Sequence, residues 1–419
     1  MIAYKVYADQ TLILDTVNEV NDGLISAQLS LELNEAGSFD FTLLRTHPQK
    51  SNITPYKTII AVEMIYIDET NTIQDDYIPF LGRVTSIDED MYGNTSYQCE
   101  GAMAFLNDIY VNKKLANQIT VHTYLGRLFI DYRSIITSGM GQNYYDENKL
   151  ISFISGEGSD ASWTYGRDIE ESGEEAPKDE YRSLLEIIKN DVIDKIGGIY
   201  YLVHGKTQNG YYTDSTYYNA DDSMGLTFNY DTQSGHLPSI QGIFVINRIP
   251  HFDFNINIID LSSSPIKTGI WTGIMPVGKD GLLLADMADP TMIGNIVLWD
   301  DRMANRYGQI VKCIEFSEAD TGSKLDSFAR EYLRRFLSTD WYSMNNYTVK
   351  AVEPCLVSEN FNKLVKIGYP VYIQLEAPNE ILLNCLSIKH NLFNVQDSQY
   401  VLGPVVPDNI INEDISTWK

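Results

Sequence analysis

Ile25-Ser26-Ala27-Gln28-Leu29-Ser30-Leu31-Glu32-Leu33 alternates apolar and polar residues without a break. A period of two marks a strand with one face on a core and the other in water. Asn34-Glu35-Ala36-Gly37 supplies turn residues, and Phe39-Asp40-Phe41-Thr42-Leu43 resumes the alternation, so the stretch reads as a β-hairpin with Ile25, Ala27, Leu29, Leu31 and Leu33 facing inward. Working outward, Thr58 to Ile67 is a second apolar strand and Phe80 to Ile87 a third, which Tyr92-Gly93-Asn94 turns into Thr95 to Cys99. Several short antiparallel strands in one block predict a small barrel or sandwich.

The pattern then changes. Ala102 to Asp108 reads as a short helical turn, and Leu125, Leu128, Phe129, Tyr132, Ile135 and Ile136 follow helical spacing. A second helix is predicted from about Glu180 to Ile196, stopped by Gly197-Gly198. Between them lies Gly156 to Glu180, rich in Gly, Ser and acid, which reads as a solvated loop. Ile199 to Val203 and Leu226 to Tyr230 are strand-like, as are Phe252 to Ile256 and Gly269 to Val277. A third helix is expected over about Ser323 to Leu337, capped by Thr321 or Ser323. The last block returns to strands at Asn346 to Val352, Val371 to Leu375, Ile381 to Ile388 and Gln399 to Leu402.

One pair of stretches echoes another. Val84-Thr85-Ser86-Ile87 is followed, after a polar turn, by Tyr97-Gln98-Cys99-Glu100-Gly101; Cys385-Leu386-Ser387-Ile388 is followed at similar distance by Tyr400-Val401-Leu402-Gly403. The alternatives are chance likeness between hairpins and two copies of one β-domain in a single chain. Two copies per chain would present six similar units around the axis of a trimer.

The 419 residues carry 31 Lys and Arg against 57 Asp and Glu, a formal charge of −26, with 44% hydrophobic residues. This is a globular composition, sufficient for two to four domains at roughly 100–200 residues each. The acidic balance excludes gripping nucleic acid by phosphate neutralisation and docking on an anionic membrane. No apolar run reaches the roughly 20 residues of a membrane-spanning helix, and Met1-Ile2-Ala3-Tyr4-Lys5 does not resemble a signal peptide. Cys99, Cys313, Cys355 and Cys385 are widely spaced, as expected of a protein made in a reducing cytoplasm.

Catalytic motifs are not apparent. There is no HExxH or GxSxG, and His47, His122, His204, His236, His251 and His390 are scattered. Gly156-Glu157-Gly158-Ser159-Asp160-Ala161 places an acid where a pyrophosphate would lie and opens no helix. Gly273-Ile274-Met275-Pro276-Val277-Gly278-Lys279-Asp280 has a carboxylate where a phosphate loop needs a hydroxyl on Mg²⁺, and reads instead as a strand followed by a Gly-Lys-Asp-Gly turn. Trp163, Tyr165, Tyr211, Tyr212, Tyr217 and Tyr218 would stack on sugars if exposed, or belong to strands and an interface. No catalytic, cofactor-binding or metal-binding residue is assigned and no cofactor is expected. A cell-wall hydrolase built from dispersed carboxylates and a receptor- or carbohydrate-binding module are the alternatives to a structural role.

The hairpin Leu31-Glu32-Leu33-Asn34-Glu35-Ala36-Gly37-Ser38-Phe39-Asp40-Phe41-Thr42 resembles the opening of phage and prophage tail hub proteins. So do His47-Pro48, Leu81-Gly82-Arg83-Val84, Asp90-Met91-Tyr92-Gly93-Asn94 and Cys99-Glu100-Gly101-Ala102-Met103-Ala104-Phe105-Leu106-Asn107-Asp108. The likeness continues in order through Ser183-Leu184-Leu185-Glu186-Ile187-Ile188, Asn257-Ile258-Ile259-Asp260-Leu261-Ser262, Tyr307-Gly308, Val349-Lys350-Ala351-Val352-Glu353 and Ile367-Gly368-Tyr369-Pro370-Val371-Tyr372-Ile373, to about Pro404. That family is known as the tail-associated lysin N-terminal region, or prophage endopeptidase tail, and has the fold of the myovirus baseplate hub.

The resemblance implies a β-rich α+β fold with two small antiparallel β-barrel domains and two mixed α/β domains. The expected divisions are 1–114 for the first barrel, 115–238 for a mixed domain, 239–285 with 341–404 for a split second barrel, 286–340 for an inserted domain with a helix, and 405–419 for a tail. It implies a homotrimeric ring at the tail tip, assembled in the bacterial cytoplasm. The ring would meet a distal tail protein or tail tube ring and the tape-measure protein, with a separate spike, fibre or lysin chain beyond, and double-stranded DNA would pass through without specific binding. Longer relatives carry a cell-wall hydrolase after the hub; this chain ends about fifteen residues after Pro404, so no hydrolytic domain is expected in it.

Overall fold

Strand follows strand at both ends of the chain because β-branched and aromatic residues alternate there with polar ones, and Gly, Asn and Asp punctuate them. The computed structural model describes residues 1–112 apart from 10, 19 and 22, and residues 121–138, 151–155, 181–193, 199–203, 206–207, 210–211, 226–231, 249–254, 256–265, 271–284, 296–317, 319–336, 345–357, 364–376 and 379–404. The first block holds β1 (Ile2–Ala8), β2 (Thr11–Asp15), β3 (Val20–Asn21), β4 (Leu24–Glu32), β5 (Ser38–Leu43), β6 (Ile59–Ile67), β7 (Ile73–Glu89) and β8 (Thr95–Gly101). A 3-10 turn at Ala102–Asn107 leads to β9 (Tyr110–Asn112), α1 (Val121–Ser138), β10 (Ile151–Ser155) and β11 (Tyr181–Ser183). Then come α2 (Leu184–Ile187), which widens into a π turn over Ile188–Ile193, β12 (Ile199–Val203), β13 (Lys206–Thr207), β14 (Gly210–Tyr211) and β15 (Leu226–Asp231). The remainder holds β16 (His251–Asp253), β17 (Ile258–Pro265), β18 (Gly273–Gly278), β19 (Leu298–Trp299), α3 (Asp301–Tyr307), β20 (Val311–Phe316), α4 (Gly322–Phe336), β21 (Asn345–Ala351), β22 (Pro370–Glu376), β23 (Asn379–Asn391) and β24 (Asn394–Gly403).

The chain divides into two compact units. Met1–Ser262 and Tyr347–Val405 lie in one, and Ser263–Asn346 lies in the other. The first is organised by a sheet of 14 strands whose path runs β17-β21-β24-β23-β4-β5-β8-β7-β6-β1-β2-β3, with β22 and β16 branching from β23. This sheet is largely antiparallel and curled into a half-barrel. Bulges between Val62 and Met64, Val84 and Ser86, and Cys385 and Ser387 each insert a residue, which bends a strand and raises its twist.

Five strands of the first block recur in the last. The path β4-β5-β8-β7-β6 matches β17-β21-β24-β23-β22 in order. The registers match as well. Ile87 pairs with Tyr97 and Ile388 with Tyr400, each just beyond a bulge at the same place, after Val84 and after Cys385. Phe41 pairs with Tyr97 as Val349 pairs with Tyr400. Leu44 N donates to Gly23 O at 2.8 Å, and Val352 N donates to Asn257 O at 2.9 Å. The echo between Val84–Gly101 and Cys385–Gly403 is therefore a repeat of hydrogen-bonded register. The likeness stops at the sixth strand, since β1 runs antiparallel to β6 while β16 runs parallel to β22.

Some local expectations shift. Ile25 is exposed and Leu24 takes the buried place, because a bulge between Leu24 and Ser26 sets the face. The alternation at 252–256 stops after Asp253, where buried Asn257 closes a turn: its Oδ1 accepts from Asp253 N at 2.7 Å and its Nδ2 donates to His251 O at 2.9 Å. The second helix begins later than expected, because Tyr181–Ser183 pairs with Tyr110–Asn112 and Ser183 Oγ then caps it, accepting from Glu186 N at 3.2 Å.

A second core of the same unit joins α1 and α2 to the first block. Leu125, Leu128, Phe129, Tyr132 and Ile136 pack with Leu184, Leu185, Ile188 and Val192 and with Ile59, Ile78, Leu81 and Phe105. In the other unit β18 lies between β19 and β20, and α4 contributes buried Leu325, Phe328, Ala329 and Tyr332 to its core. Thr321 caps α4, its Oγ1 accepting from Lys324 N at 3.4 Å. The helix α3, which the spacing did not foretell, is capped by Asp300, whose Oδ1 accepts from Met303 N at 2.9 Å.

Where β8 ends, Gly101 has no room for a side chain: an added Cβ would lie 1.8 Å from Ala36 O. Gly101→Ala is expected to cost about 3 kcal/mol, the upper range for overpacking, read as a lowered urea midpoint with unchanged slope.

Candidate functional site

The sheet's two halves meet where β4 pairs with β23, from Glu32 opposite Ser387 to Gln28 opposite Asn391. A polar cluster lies behind this seam. Glu353, which follows β21, is buried; Val365 N donates to its Oε1 at 2.5 Å and Tyr400 Oη donates to its Oε2. Asp75 on β7 is also buried; it accepts from Leu364 N at 3.0 Å and pairs with Lys366 Nζ at 3.3 Å. Tyr77 Oη donates to Val365 O at 3.3 Å, and the Lys366 ammonium sits 4.7 Å from the Tyr77 ring centre. Thus 364–366 is held by the first block through Asp75 and Tyr77, and by the last through Glu353.

His390 occupies the other side of Tyr400, edge-on with ring centres 5.8 Å apart, and its Nδ1 lies 2.9 Å from Ser398 Oγ. Burial pushes the Glu353 carboxyl up to about 7, against the hydrogen bonds from Tyr400 and Val365 that favour its ionised form. Burial alone pushes the His390 imidazole down to about 4. The Tyr4, Tyr77 and Tyr400 phenols and the Cys355 and Cys385 thiols are all raised, burial first and the Glu353 charge second. None of these groups is poised as a nucleophile, since burial holds thiols and phenols protonated.

A second constellation ties β7 to the 3-10 turn. Arg83 is buried, with Nε donating to Glu100 Oε1 at 2.7 Å and Nη2 to Asp108 Oδ1 at 2.9 Å, while Nη1 also meets Asp108. Its guanidinium lies 5.2 Å from the Tyr56 ring centre and 5.1 Å from that of Phe105. Its pKa is raised by these carboxylates, although burial acts in the opposite direction. An arginine paired with two carboxylates and set against two rings is a fastening, since its guanidinium fork holds both acids in one geometry.

The other singled-out residues do not converge. His47 is buried with Nδ1 accepting from Gln49 N at 3.1 Å, and His251 lies tilted against Tyr372, ring centres 4.7 Å apart. His122 lies on α1, while His204 and His236 fall outside the described residues. Gly273–Gly278 is a strand and Lys279–Gly281 a turn with Asp280 at φ 57°, so the strand-and-turn reading of that glycine motif holds. Gly156 to Glu180, Tyr212, Tyr217 and Tyr218 lie outside the described residues, and Tyr211 ends the two-residue β14. Among the described residues no three His, Cys, Asp or Glu side chains gather as a metal set, and no helix is long and apolar enough to cross a membrane.

No family model matches the sequence, and no curated protein matches it. Solved structures do. The prophage MuSo2 43 kDa tail protein from Shewanella oneidensis matches with a TM-score of 0.51 at 12% identity, covering 98% of each chain. A tail protein from Neisseria meningitidis MC58 matches at 0.49 and 13%, covering 99% of this chain and 98% of that one. Prophage tail protein gp18 from Listeria monocytogenes EGD-e matches at 0.46 and 14%, covering 98% and 97%. The chain shares the fold of the Shewanella tail protein along nearly its whole length.

The sign of the Glu353 effect follows from its raised pKa. Between about 4.5, its ordinary value, and about 7 the folded chain keeps a proton that the unfolded chain has lost. Its stabilising contribution is complete below 4.5 and vanishes as pH rises through 7. His390 opposes it: its contribution is complete above 6.5 and is lost as pH falls toward 4. Glu353→Gln should therefore gain stability relative to the native chain by about 1.4 kcal/mol per pH unit between pH 4.5 and 7. Paired urea titrations across that range check this; a flat difference would mean the carboxyl is not desolvated.

Proposed function

We propose that this protein is a structural tail-tip or baseplate hub of a phage or phage-tail-like particle, forming a trimeric ring that closes the tail tube and opens for DNA. The observation that carries this reading is the end-to-end fold likeness to a prophage tail protein, together with the internal repeat in β4-β5-β8-β7-β6 and β17-β21-β24-β23-β22. Two like five-strand arrays per chain let three chains meet a sixfold ring, because 3 × 2 equivalent surfaces close around one axis. The four-part division, with barrels at 1–114 and at 239–285 with 341–404 and an insertion at 286–340, belongs to this reading.

The partners would be a distal tail protein or tube ring on one side, the tape-measure protein within, and a separate spike, fibre or lysin beyond. The charge fits a conduit. DNA carries about one negative charge per 1.7 Å of axis, and three chains of −26 bring −78, so an acidic lumen repels DNA. The role is one of assembly and passage, with no catalytic step assigned to the chain.

Light scattering with negative-stain imaging of the same peak should give three chains around a central hole. A chain that stays monomeric alone and with its neighbouring tail ring would sink the reading. The assembly should also show no salt-dependent retention of double-stranded DNA in a filter or gel-shift assay; retention that falls steeply with salt would mean a basic lumen.

A further inference from the structure

The internal repeat points to two strand edges with a shared fate. Within the chain, the far half of β23 is covered on one side by β24 and on the other by β4. Its counterpart in the first block is the far half of β7, whose Ile87 matches Ile388 by register against Tyr97 and Tyr400. That half of β7 is covered by β8, but among the described residues no strand pairs with its other edge beyond Val84. The consequence is visible in burial: Ile388 is 0% exposed and Ile87 is 36% exposed. The counterpart of β4 is β17, which ends the sheet's path with β21 as its neighbour. The repeat thus contains one filled junction, β4 on β23, and both halves of a second, unfilled one.

We propose that the edge of β7 at Ile87–Glu89, with Asp90 just after it, pairs antiparallel with the edge of β17 at Ser262–Pro265 in a second copy of this chain. The inference rests on the self-assembling ring above and names how the ring is sealed. The register comes from the filled junction. Gly23 and Asn257 hold the same place, each accepting from the residue after the next strand, Leu44 or Val352. Carrying the pairs Leu29–His390 and Ser30–Lys389 across sets Ser263 opposite Glu89 and Ser264 opposite Asp88. If β17 lacks the bulge that β4 has between Leu24 and Ser26, the register moves by one and Ser263 faces Asp88.

In the first register Ser262-Ser263-Ser264 meets the acidic run Asp88-Glu89-Asp90, in the second Ser262 and Ser263 meet Glu89 and Asp88, and Ser262 to Pro265 is exposed. This chemistry suits the contact. Like charges opposite each other destabilise a strand pair, and serines place uncharged hydroxyl donors against carboxylates. Backbone hydrogen bonds on an open edge supply the remaining attraction. The contact joins unlike patches on successive copies, so it generates a ring when its rotation closes.

The test is cysteine cross-linking of the full chain. Cys313, the exposed free cysteine, is replaced by Ser; Cys99, Cys355 and Cys385 are buried. Ser263→Cys is combined with Asp88→Cys in one chain and with Glu89→Cys in another, covering both registers. Ser30→Cys with Lys389→Cys, paired directly within the chain, is the control and should close without joining chains. Under mild oxidation one of the two test chains should give interchain products that stop at three chains on a non-reducing gel, and each single variant should give none of the trimer. If light scattering shows a trimer and neither pair cross-links while the control closes, the edge pairing is wrong and the ring stands. If the chain stays monomeric both alone and with its neighbouring tail ring, and neither pair joins chains, both fall. Cross-linking from an otherwise monomeric chain would establish the edge contact.

Discussion

The backbone pairing of β4 with β23 is the constraint on which the rest of the large unit depends. It makes one sheet from strands at opposite ends of the chain, and the contacts that join the first block to the last behind it are as non-local: Leu364 N reaches Asp75 across 289 residues. Such contacts are slow to find, since loop closure comes before any of them stabilises the chain. Local hairpins at 24–43, 73–101 and 379–403 lower that difficulty, because each forms its register from neighbouring sequence.

Behind the seam the structure uses polar groups where hydrophobic ones would pack as well. A buried carboxyl and a buried imidazole on either side of Tyr400 are expensive to desolvate, and their shifts in opposite directions record that cost. What they provide is geometry. Glu353 accepts from Val365 and Tyr400, and Asp75 from Leu364, which aligns 364–366 with both halves at once. Arg83 does the same between β7 and Asp108. Apolar contacts alone tolerate slippage; directional bonds to buried groups do not.

The repeat gives the unit its character. Two five-strand arrays share order, register and bulge position, yet differ at one edge: β4 pairs with β23 within the chain, while among the described residues β17 has β21 alone as its strand neighbour. A protein that uses the same surface twice, once within itself and once toward a neighbour, can build a ring of even spacing from a few chains.

The sequence by itself determined most of the strands and helices, and raised the repeat as one of two alternatives. Alternation at 27–31 and 39–43, the stripe Leu125-Leu128-Phe129-Tyr132 and the paired motifs Val84–Ile87 and Cys385–Ile388 are local patterns, and local patterns are written in side-chain period. The β1 and β2 strands and the short helix α3 escaped because brief segments leave little periodicity to read. Glu353 and Asp75 gave no distinct signal: one follows an ordinary strand, and the other sits in the acidic Gln74-Asp75-Asp76 that reads as surface. Arg83 stands within Leu81-Gly82-Arg83-Val84, and nothing in that stretch marked it as a buried, paired cation. Tertiary structure alone decided that β4 meets β23, that Ile25 turns outward, that β16 runs parallel to β22, and that Asp75 and Glu353 end up buried. Partner choice and burial depend on what lies across the sheet, and a strand's own residues specify its faces but not its neighbours.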